Sequence, residues 1–437
     1  MSDSDFNLWL GAPGLQGDTR LDWLETKREA ARARVLDGGI PTSKQEAWRY
    51  TSVKRLLEQG FVPADEPITA LQPEDIEDVL IPGLEAHRVV LVNGRYLPGL
   101  SALGELPPGV RIGGLQQILK SDPDALRDRV NGVAGEEQPL FAALNTAGLD
   151  DGLVILLGRG AALTRPVELI HLSVGMDEPR VAQPRHIVAI EDGAQATLIE
   201  RYLSLGQSLY CTNSVLEASL GRDAVLRHQR VQDESPNAFH ITGLYLSLGQ
   251  GSRYRGVNVG LGAAWARTDI QVRFAGEHAE CDLQGLYLAG DQQLMDYHLD
   301  VDHRLPHCTS RENFKGILYG KGRAVFDGRV YVAKNAQKTD AAMSNRNLLL
   351  SEGAEVDAKP QLEINADDVK CSHGTTVGQI EPEMLFYLRS RGITAAVARR
   401  MLCLGFAGEI LDCLEPQPLR ERVAEQVGHR LEHSPLT

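Results

Sequence analysis

A repeated pattern of short strands and glycine-containing turns, running from about residue 150 to residue 379, constrains the fold of this 437-residue chain more than any other feature. Apolar and polar residues alternate within each run, which is strand periodicity rather than helix periodicity. The turn glycines are Gly193, Gly221, Gly251, Gly276, Gly322 and Gly353. Most successive glycines lie roughly 25 to 30 residues apart, and the interval before Gly322 is nearly twice as long.

Strand–turn–strand units with no helix between them are what a parallel β-helix requires, because each coil buries its inward face only against the next coil. A sandwich of ordinary hairpins is the alternative interpretation. The length and near-regularity of the run favour the β-helix.

Helical patterns occupy both ends of the chain. Helix-forming residues precede Gly38 and Gly39, and a second helix is predicted after Pro41. A β-hairpin with Asn93 and Gly94 at its turn is predicted ahead of the repeats. The expected fold is mainly β, with a parallel β-helix core flanked by N-terminal and C-terminal helical regions. Its predicted parts are an N-terminal helical region at 1–62, a linker and mixed segment at 63–149, the parallel β-helix core at 150–379 and a C-terminal helical domain at 380–437.

The C-terminal helices have two predicted roles. An open β-helix end must be covered to prevent edge pairing, so we expect these helices to cap it. Their apolar residues outnumber what a small cap needs, which indicates a docking surface for another protein, although an ordinary helical core is the alternative for any one residue. The residues concerned are Phe386, Tyr387, Leu388, Met401, Leu402, Leu404, Phe406 and Ile410.

The composition of the chain limits which binding partners and which cellular compartment we expect. The formal net charge is −14 and no lysine- or arginine-rich run occurs, so neither nucleic acid nor an anionic membrane is an expected partner. No stretch approaches the roughly 20 apolar residues of a spanning helix, and the N-terminus lacks the pattern of a signal peptide. The six cysteines form no CxxC pair, which argues against a disulfide framework and a zinc knuckle. The cytoplasm is the expected compartment.

Chemistry is predicted where the repeats give way to helix, in the segment from Asp367 to Ile393. Cys371 and His373 are two residues apart, so in an extended strand they point to the same face. A thiol beside an imidazole suits iron, zinc or a persulfide. The alternative is an inert packing cysteine next to a histidine satisfied by hydrogen bonds.

Other candidate sites are weaker. Residues 316–323 and 249–256 are glycine-rich, but the first lacks the spacing and the Ser or Thr of a phosphate loop and the second does not open a helix, so no nucleotide site is predicted. His303, His307 and Cys308 are close enough in sequence to collect a metal. A proline-containing loop with polar tips is the favoured interpretation of these three residues.

Long segments of the chain resemble one family. The block AQKTDAAMSNRNLLLSEGAEVDAKPQLEINADDVKCSHGTTVGQIEPEMLFYLRSRGI and the helical motif KQEAWRYT at Lys44–Thr51 resemble the SufB/SufD scaffold proteins of the SUF iron–sulfur cluster assembly system. The resemblance covers nearly the whole chain. Arg346 stands where SufB chains carry a cysteine, and Ser372 and Gly374 replace acidic residues of the SufB pattern. These departures point to the SufD branch and exclude SufB-type sulfur acceptance at that position.

The resemblance implies a non-enzymatic scaffold subunit with a right-handed β-helix. The C-terminal end of the β-helix would pair with a SufB-like subunit. At that interface His373, with Cys371 nearby, would hold iron or a transient iron–sulfur cluster. No cofactor is expected in the isolated chain. A homodimer of the isolated chain is an alternative to the assembly with partners. The C-terminal helices would bind a SufC-like ABC-type ATPase within a SufB–SufC₂–SufD assembly. The residues predicted for this contact are Phe386, Met401, Leu404, Phe406 and Ile410.

A stand-alone β-helix enzyme that cleaves polysaccharides is the competing class. Such an enzyme needs two nearby carboxylates, for which the candidates are Asp282, Asp296, Asp300 and Asp302. Aromatic residues make up only 5% of the chain, which offers no aromatic-lined groove for a sugar. The sequence therefore favours the scaffold over the enzyme.

Overall fold

A computed structural model describes residues 7–10, 19–64, 71–175 and 178–432. The helices in chain order are α1 (Asp22–Gly38), α2 (Lys54–Leu57), α3 (Leu115–Ser121), α4 (Asp124–Arg127), α5 (Leu140–Ala147), α6 (Pro382–Ser390), α7 (Ala395–Leu411) and α8 (Gln417–Glu432). None of the helices in these ranges is both long enough and apolar enough to cross a bilayer.

The strands that precede the regular part of the fold are β1 (Val62–Pro63), β2 (His87–Val92), β3 (Arg95–Tyr96), β4 (Val110–Gly114), β5 (Leu153–Leu157), β6 (Val167–Val174) and β7 (Arg180–Ala182). The strands of the regular part are β8 (Arg185–Ile190), β9 (Gln195–Leu205), β10 (Tyr210–Leu220), β11 (Val225–Asp233), β12 (Phe239–Leu248), β13 (Arg253–Gly260), β14 (Trp265–Phe274), β15 (Glu280–Ala289), β16 (Leu294–His303), β17 (Thr309–Leu318), β18 (Arg323–Val332), β19 (Asp340–Leu349), β20 (Glu355–Ile364) and β21 (Lys370–Gly378).

From β8 onward the strands alternate between two sheets, and each strand pairs in parallel with the strand two positions further along the chain. Sheet A ends with β16, β18 and β20, and sheet B ends with β17, β19 and β21. Buried side chains stack between the sheets in register, as in the column Leu216, Leu244, Ile270 and Leu299. This connectivity confirms the predicted mainly β fold, a parallel β-helix flanked by helices.

The turns explain the uneven glycine spacing. Gly193 and Gly251 lie two residues before a strand of sheet B, with φ of 68° and 65°. The equivalent positions before β17 and β19 are His307 and Lys338, both with φ of 61°. Non-glycine residues thus adopt the left-handed conformation there, and the glycine series is interrupted. The glycines on either side of the long interval also lie at different turns, since Gly276 precedes β15 of sheet B and Gly322 precedes β18 of sheet A.

The C-terminal helices lie along the flank of the solenoid, so the expectation that they cap its end is wrong. Cys403 and Ile410 of α7 are buried against the outer face of sheet B. Lys315 of β17 donates to the carbonyl of Phe406 at 2.8 Å and pairs with Glu409 at 2.6 Å. Sheet B attracts the helices because its outer face is itself apolar, with Ile199, Val231, Val257, Val259, Leu286, Leu288, Ile317 and Leu348.

Local predictions near the N-terminus hold in part. Helix α1 ends at Gly38, as expected. The helix predicted after Pro41 is instead a short 3₁₀ turn, Glu46–Trp48, followed by the single-turn helix α2. The predicted hairpin is present, since β2 and β3 pair antiparallel around Asn93 and Gly94, which have φ of 46° and 84°.

Contacts with sheet A explain why the KQEAWRYT motif is not a regular helix. The hydroxyl of Thr51 donates to Asp296 of β16 at 2.6 Å. Arg267 of β14 donates to the carbonyl of Ala47 at 2.8 Å, and its guanidinium carbon lies 3.9 Å from the centre of the Trp48 ring. These contacts hold the motif flat across the outer face of sheet A.

Candidate functional site

Cys371 and His373 lie on β21, the final strand of sheet B. Their register partners on β19 are Ala341 and Met343, which are buried in the interior of the solenoid. Because side chains alternate along a strand, Cys371 and His373 continue these interior columns. His373 is exposed and Cys371 is half-buried, since no described residue forms a further coil over β21.

The chemistry of this pair is that of an incomplete ligand set. Burial raises the pKa of the Cys371 thiol, and the neighbouring carboxylate of Asp340 adds to the effect. The thiol is therefore protonated at neutral pH and becomes a ligand only when a cation displaces its proton. One imidazole and one thiol are ligands that iron accepts, but they leave coordination positions for groups from outside this chain.

Arg346 has a structural role in this fold. It lies on β19 and pairs with Glu409 of α7 at 2.8 Å. It also donates to Asn313 of β17 at 3.2 Å, and Asn313 donates to the same Glu409 carboxylate at 3.0 Å. Arg346 thus fastens α7 to sheet B.

His303, His307 and Cys308 do not form a metal site, because their side chains point to different places. His303 is buried, stacks on Phe274 with ring centres 4.2 Å apart, and has its pKa lowered to about 3 by burial. The Cys308 thiol is buried and donates to a backbone carbonyl at 3.3 Å. His307 is exposed in its turn and stacks on His278 of the preceding coil. The loop interpretation fits His307 and Cys308, whereas His303 is the last residue of β16.

The four aspartates considered for polysaccharide cleavage lie on two different sheets. Asp282 lies on sheet B, whereas the other three lie on β16 of sheet A. Each one also has a partner within the chain. The partners are Gln284 for Asp282 at 2.6 Å, His298 for Asp296 at 2.9 Å, Arg329 for Asp300 at 3.1 Å and Arg304 for Asp302 at 2.7 Å. Each of the four carboxylates is therefore engaged by another side chain of this protein.

A buried ionisable cluster inside the early coils was missed from the sequence. His171, His186 and Glu200 each offer a ligand atom within 4.8 Å of the others. The Tyr202 hydroxyl donates to Glu200 at 2.6 Å, and the Nε2 atom of His228 lies 2.9 Å from the second carboxylate oxygen. The signal in the sequence that could have revealed this cluster was histidine and glutamate within otherwise apolar strands.

The protonation of this cluster argues against a three-ligand metal site. The amide of Leu153 donates to Nδ1 of His186 at 3.0 Å, so the proton of the neutral ring sits on Nε2, which then has no lone pair for a metal. Burial lowers the pKa of His186 to about 3 and keeps the ring neutral. Burial opposes ionisation of Glu200, but hydrogen bonds from His171 and His228 hold its pKa well below its usual range. The cluster is a buried polar network in which Nε2 of His186 has no hydrogen-bond partner among the described residues.

The residues predicted to contact an ATPase separate into two groups. Phe386 on α6 and Met401 on α7 are 73% and 46% exposed. Ile410 is fully buried, and Leu404 and Phe406 pack against sheet B. Ile410 is therefore not available to a partner in this conformation, whereas Leu404 and Phe406 are half-buried and also help to hold α7 to the solenoid. We use the name apolar surface for the exposed set Met384, Phe386, Tyr387, Val397 and Met401.

The fold and the site define a class: β-solenoid proteins whose uncovered end carries a thiol and an imidazole. Two family models match the chain, the SufBD core domain of SUF system FeS cluster assembly over residues 172–406 and the SufBD protein N-terminal region over residues 14–169. The chain belongs to the SufBD family, which confirms the resemblance and places it in iron–sulfur cluster assembly.

Several curated relatives extend over nearly the whole chain. The iron-sulfur cluster assembly protein SufD of Escherichia coli is 34% identical over 91% of this chain and 91% of its own length. An iron-sulfur cluster assembly SufBD family protein of Synechocystis is 33% identical over 93% of this chain and 91% of its own. The chloroplastic protein ABCI7 of Arabidopsis thaliana is 30% identical over 92% of this chain and 85% of its own.

Proposed function

We propose that this chain is a non-catalytic scaffold subunit of a SufB–SufC₂–SufD-type complex and that His373 and Cys371 help to hold a transient iron–sulfur cluster or its iron. The observation that carries the proposal is the uncovered end of the solenoid, where these two side chains continue interior columns that no further coil closes. A homologous SufB-like subunit that covers this end would complete the ligand set. The six free cysteines fit assembly in the reducing cytoplasm.

A replacement of His373 tests this assignment. His373→Ala is expected to impair maturation of iron–sulfur enzymes, in a strain that depends on this pathway, while the complex stays assembled. The side chain is exposed, so its loss removes a ligand and no core packing. Cys371→Ser is expected to be milder, because the half-buried thiol is protonated at neutral pH.

The matched control is Thr375→Ala, since Thr375 is exposed on the same strand and continues the next interior column. The Thr375→Ala variant should support normal maturation of iron–sulfur enzymes. Normal maturation with His373→Ala would show that the ligand assignment is wrong, whereas failure of the control would show that the strand rather than the imidazole is sensitive.

We also propose that a SufC-like ATPase docks on the apolar surface. Exposed apolar clusters of this kind commonly mark interfaces. The segment 382–401 also carries four arginines and one glutamate in a chain of net charge −14. An interface with an apolar centre and an arginine rim fits a partner whose docking groove is rimmed by acidic residues.

The double substitution Phe386→Asp with Met401→Lys tests the docking site. Both side chains are exposed, so the fold should survive, which circular dichroism would check. The variant is expected to lose the ATPase in a pull-down and to keep the SufB-like subunit. Leu36→Asp is the control, because Leu36 is 55% exposed on the distant helix α1. Retention of the ATPase by the double variant, or loss of both partners together, would contradict the assignment.

A further inference from the structure

Two exposed histidines are stacked at one corner of the solenoid. His278 and His307 lie in successive coils, and each stands two residues before a strand of sheet B. Their rings are 17° from parallel, and the ring centres are 4.8 Å apart. Neighbouring strands of a sheet have nearly the same spacing, so the stacking of the coils aligns the two imidazoles. The ring partner of His307 is therefore in the preceding coil and not beside it in the sequence.

The backbone of this corner holds both histidines in place. Both have left-handed φ, 59° for His278 and 61° for His307, a conformation that is uncommon outside glycine and persists only where the surroundings fix it. The amide of His307 donates to the carbonyl of Gln337 in the next coil at 2.9 Å. The thiol of Cys308 donates to the carbonyl of Gly276 in the preceding coil at 3.3 Å. The pair is thus preorganised by contacts with the coils on both sides.

The ring nitrogens of the pair face solvent. Both side chains are exposed, and within the part of the chain that the structure describes no hydrogen bond or ion pair engages either ring. A neutral imidazole keeps a lone pair on one nitrogen, which makes histidine a common metal ligand.

The charges around the corner also permit a cation. The exposed carboxylate of Glu277 is next to His278 in the sequence. Lys338 has the same corner position one coil further along, and it forms an ion pair with Asp368. The positive charge nearest to the pair in this column of turn residues is therefore compensated.

We infer that His278 and His307 together bind one divalent transition-metal ion on the surface of the solenoid. The class of ion is the one that accepts imidazole nitrogen, which includes Fe²⁺, Ni²⁺, Cu²⁺ and Zn²⁺. Bonds of about 2.1 Å to one ion place the two nitrogens roughly 3 Å apart. Rotation about the side-chain bonds lets the exposed rings tilt from the stacked arrangement to this separation. Water fills the remaining coordination positions.

This metal site is separate from the candidate ligands Cys371 and His373. The histidine pair precedes β15 and β17, whereas the candidate ligands lie on β21, two coils beyond β17. Two coils extend about 10 Å along the solenoid. The inference therefore goes beyond the proposed function, and either one can fail without the other.

Titration calorimetry with Ni²⁺ tests the inference in the full chain. The parent protein carries Cys371→Ser and His373→Ala, so that the other candidate ligands do not contribute. His278→Asn and His307→Asn are each expected to weaken Ni²⁺ binding by at least roughly tenfold, because each removes a direct ligand. Asparagine tolerates left-handed φ, so both variants should fold, which circular dichroism would check. Lys338→Asn is the matched control, since Lys338 has φ of 61° at the same corner position, and it should change the affinity by less than about twofold.

The variant with both histidines replaced distinguishes one shared ion from two separate ions. Removal of either ligand already breaks a shared site, so the double variant should bind Ni²⁺ only slightly more weakly than each single variant. Two ions on the parent, and one on each single variant at unchanged affinity, would overturn the inference. Unchanged binding in both single variants, or no Ni²⁺ binding by the parent, would overturn it as well.

A crystal of the wild-type chain soaked in Ni²⁺ gives a measurement that does not depend on any variant. Anomalous scattering should place one ion about 2.1 Å from a ring nitrogen of His278 and of His307. An ion bonded to only one of the two rings, or no ion at this corner, would contradict the shared site.

Discussion

Glu312→Gln is expected to stabilise the folded chain, by an amount that grows with pH. Glu312 lies on β17 and faces the solenoid interior, between Leu283 and Met343 in register. It is 1% exposed, and neither carboxylate oxygen has a hydrogen-bond partner among the described residues. Burial outweighs the nearby Ser310 hydroxyl and raises the pKa of the Glu312 carboxyl from 4.5 to about 8.

The raised pKa means that the folded chain keeps a proton that the unfolded chain loses. Stability is therefore lost as pH rises from 4.5, the value for the unfolded chain, and levels off above about 8. At 1.36 kcal/mol per pKa unit, the cost is ~2 kcal/mol at pH 6 and ~4 kcal/mol at pH 8. Glutamine has nearly the same shape and does not titrate, so the variant should gain ~2 kcal/mol over the wild type between pH 6 and pH 8.

Urea unfolding of both proteins at several pH values between 6 and 8 would measure this difference. Glu280→Gln is the control, because Glu280 is exposed at the start of the neighbouring strand β15. Its stability should follow the wild type at every pH. If the Glu312→Gln curve also runs parallel to the wild type, the carboxyl is ionised in the folded chain and must have a counter-charge that this structure does not contain.

Three other outcomes follow from the same physics. His303→Gln should lose less stability than the wild type as pH falls below about 6.5. The buried His303, whose pKa is about 3, stays neutral in the folded chain, while the same residue in the unfolded chain takes up a proton. Urea midpoints from pH 4 to 7 would show this difference. Arg185→Met should lower the free energy of unfolding, measured with urea, by ~3–5 kcal/mol, since it leaves Glu217, the partner of Arg185 at 2.7 Å, charged and buried. The double variant Arg185→Met with Glu217→Gln should recover part of this loss. Isothermal titration of this chain with Mg·ATP should show no heat of binding, because neither glycine-rich segment has phosphate-loop spacing. Stoichiometric binding with micromolar affinity would contradict this prediction.

Local sequence determined the architecture of this protein. A coil of the solenoid is closed by its own turn residues, so alternation and turn glycines such as Gly193 and Gly251 were sufficient to predict stacked coils. The helix ending at Gly38 and the hairpin at Asn93 and Gly94 were predictable for the same reason. The placement of Cys371 beside His373 needed only the period of a strand.

Long-range contacts decided what the sequence left open. Whether an apolar residue of α7 serves a partner or the core depends on which face of the solenoid the helix meets, and contact with sheet B buried Ile410 while leaving Met401 exposed. The cluster of His171, His186 and Glu200 joins strands β6, β8 and β9 of two successive coils, which no short motif records.

The direction of the backbone groups in the last two strands has the same origin. Pro360 and Thr375 both lie in the last coil, and nothing in the residues beside them tells which way their backbone nitrogens point. That direction follows from the register of each strand with the coil before it, because a shift of one residue would exchange the inward and outward positions. The sequence alone determined that the solenoid ends in two strands, and only the tertiary register decided which of their backbone groups point outward.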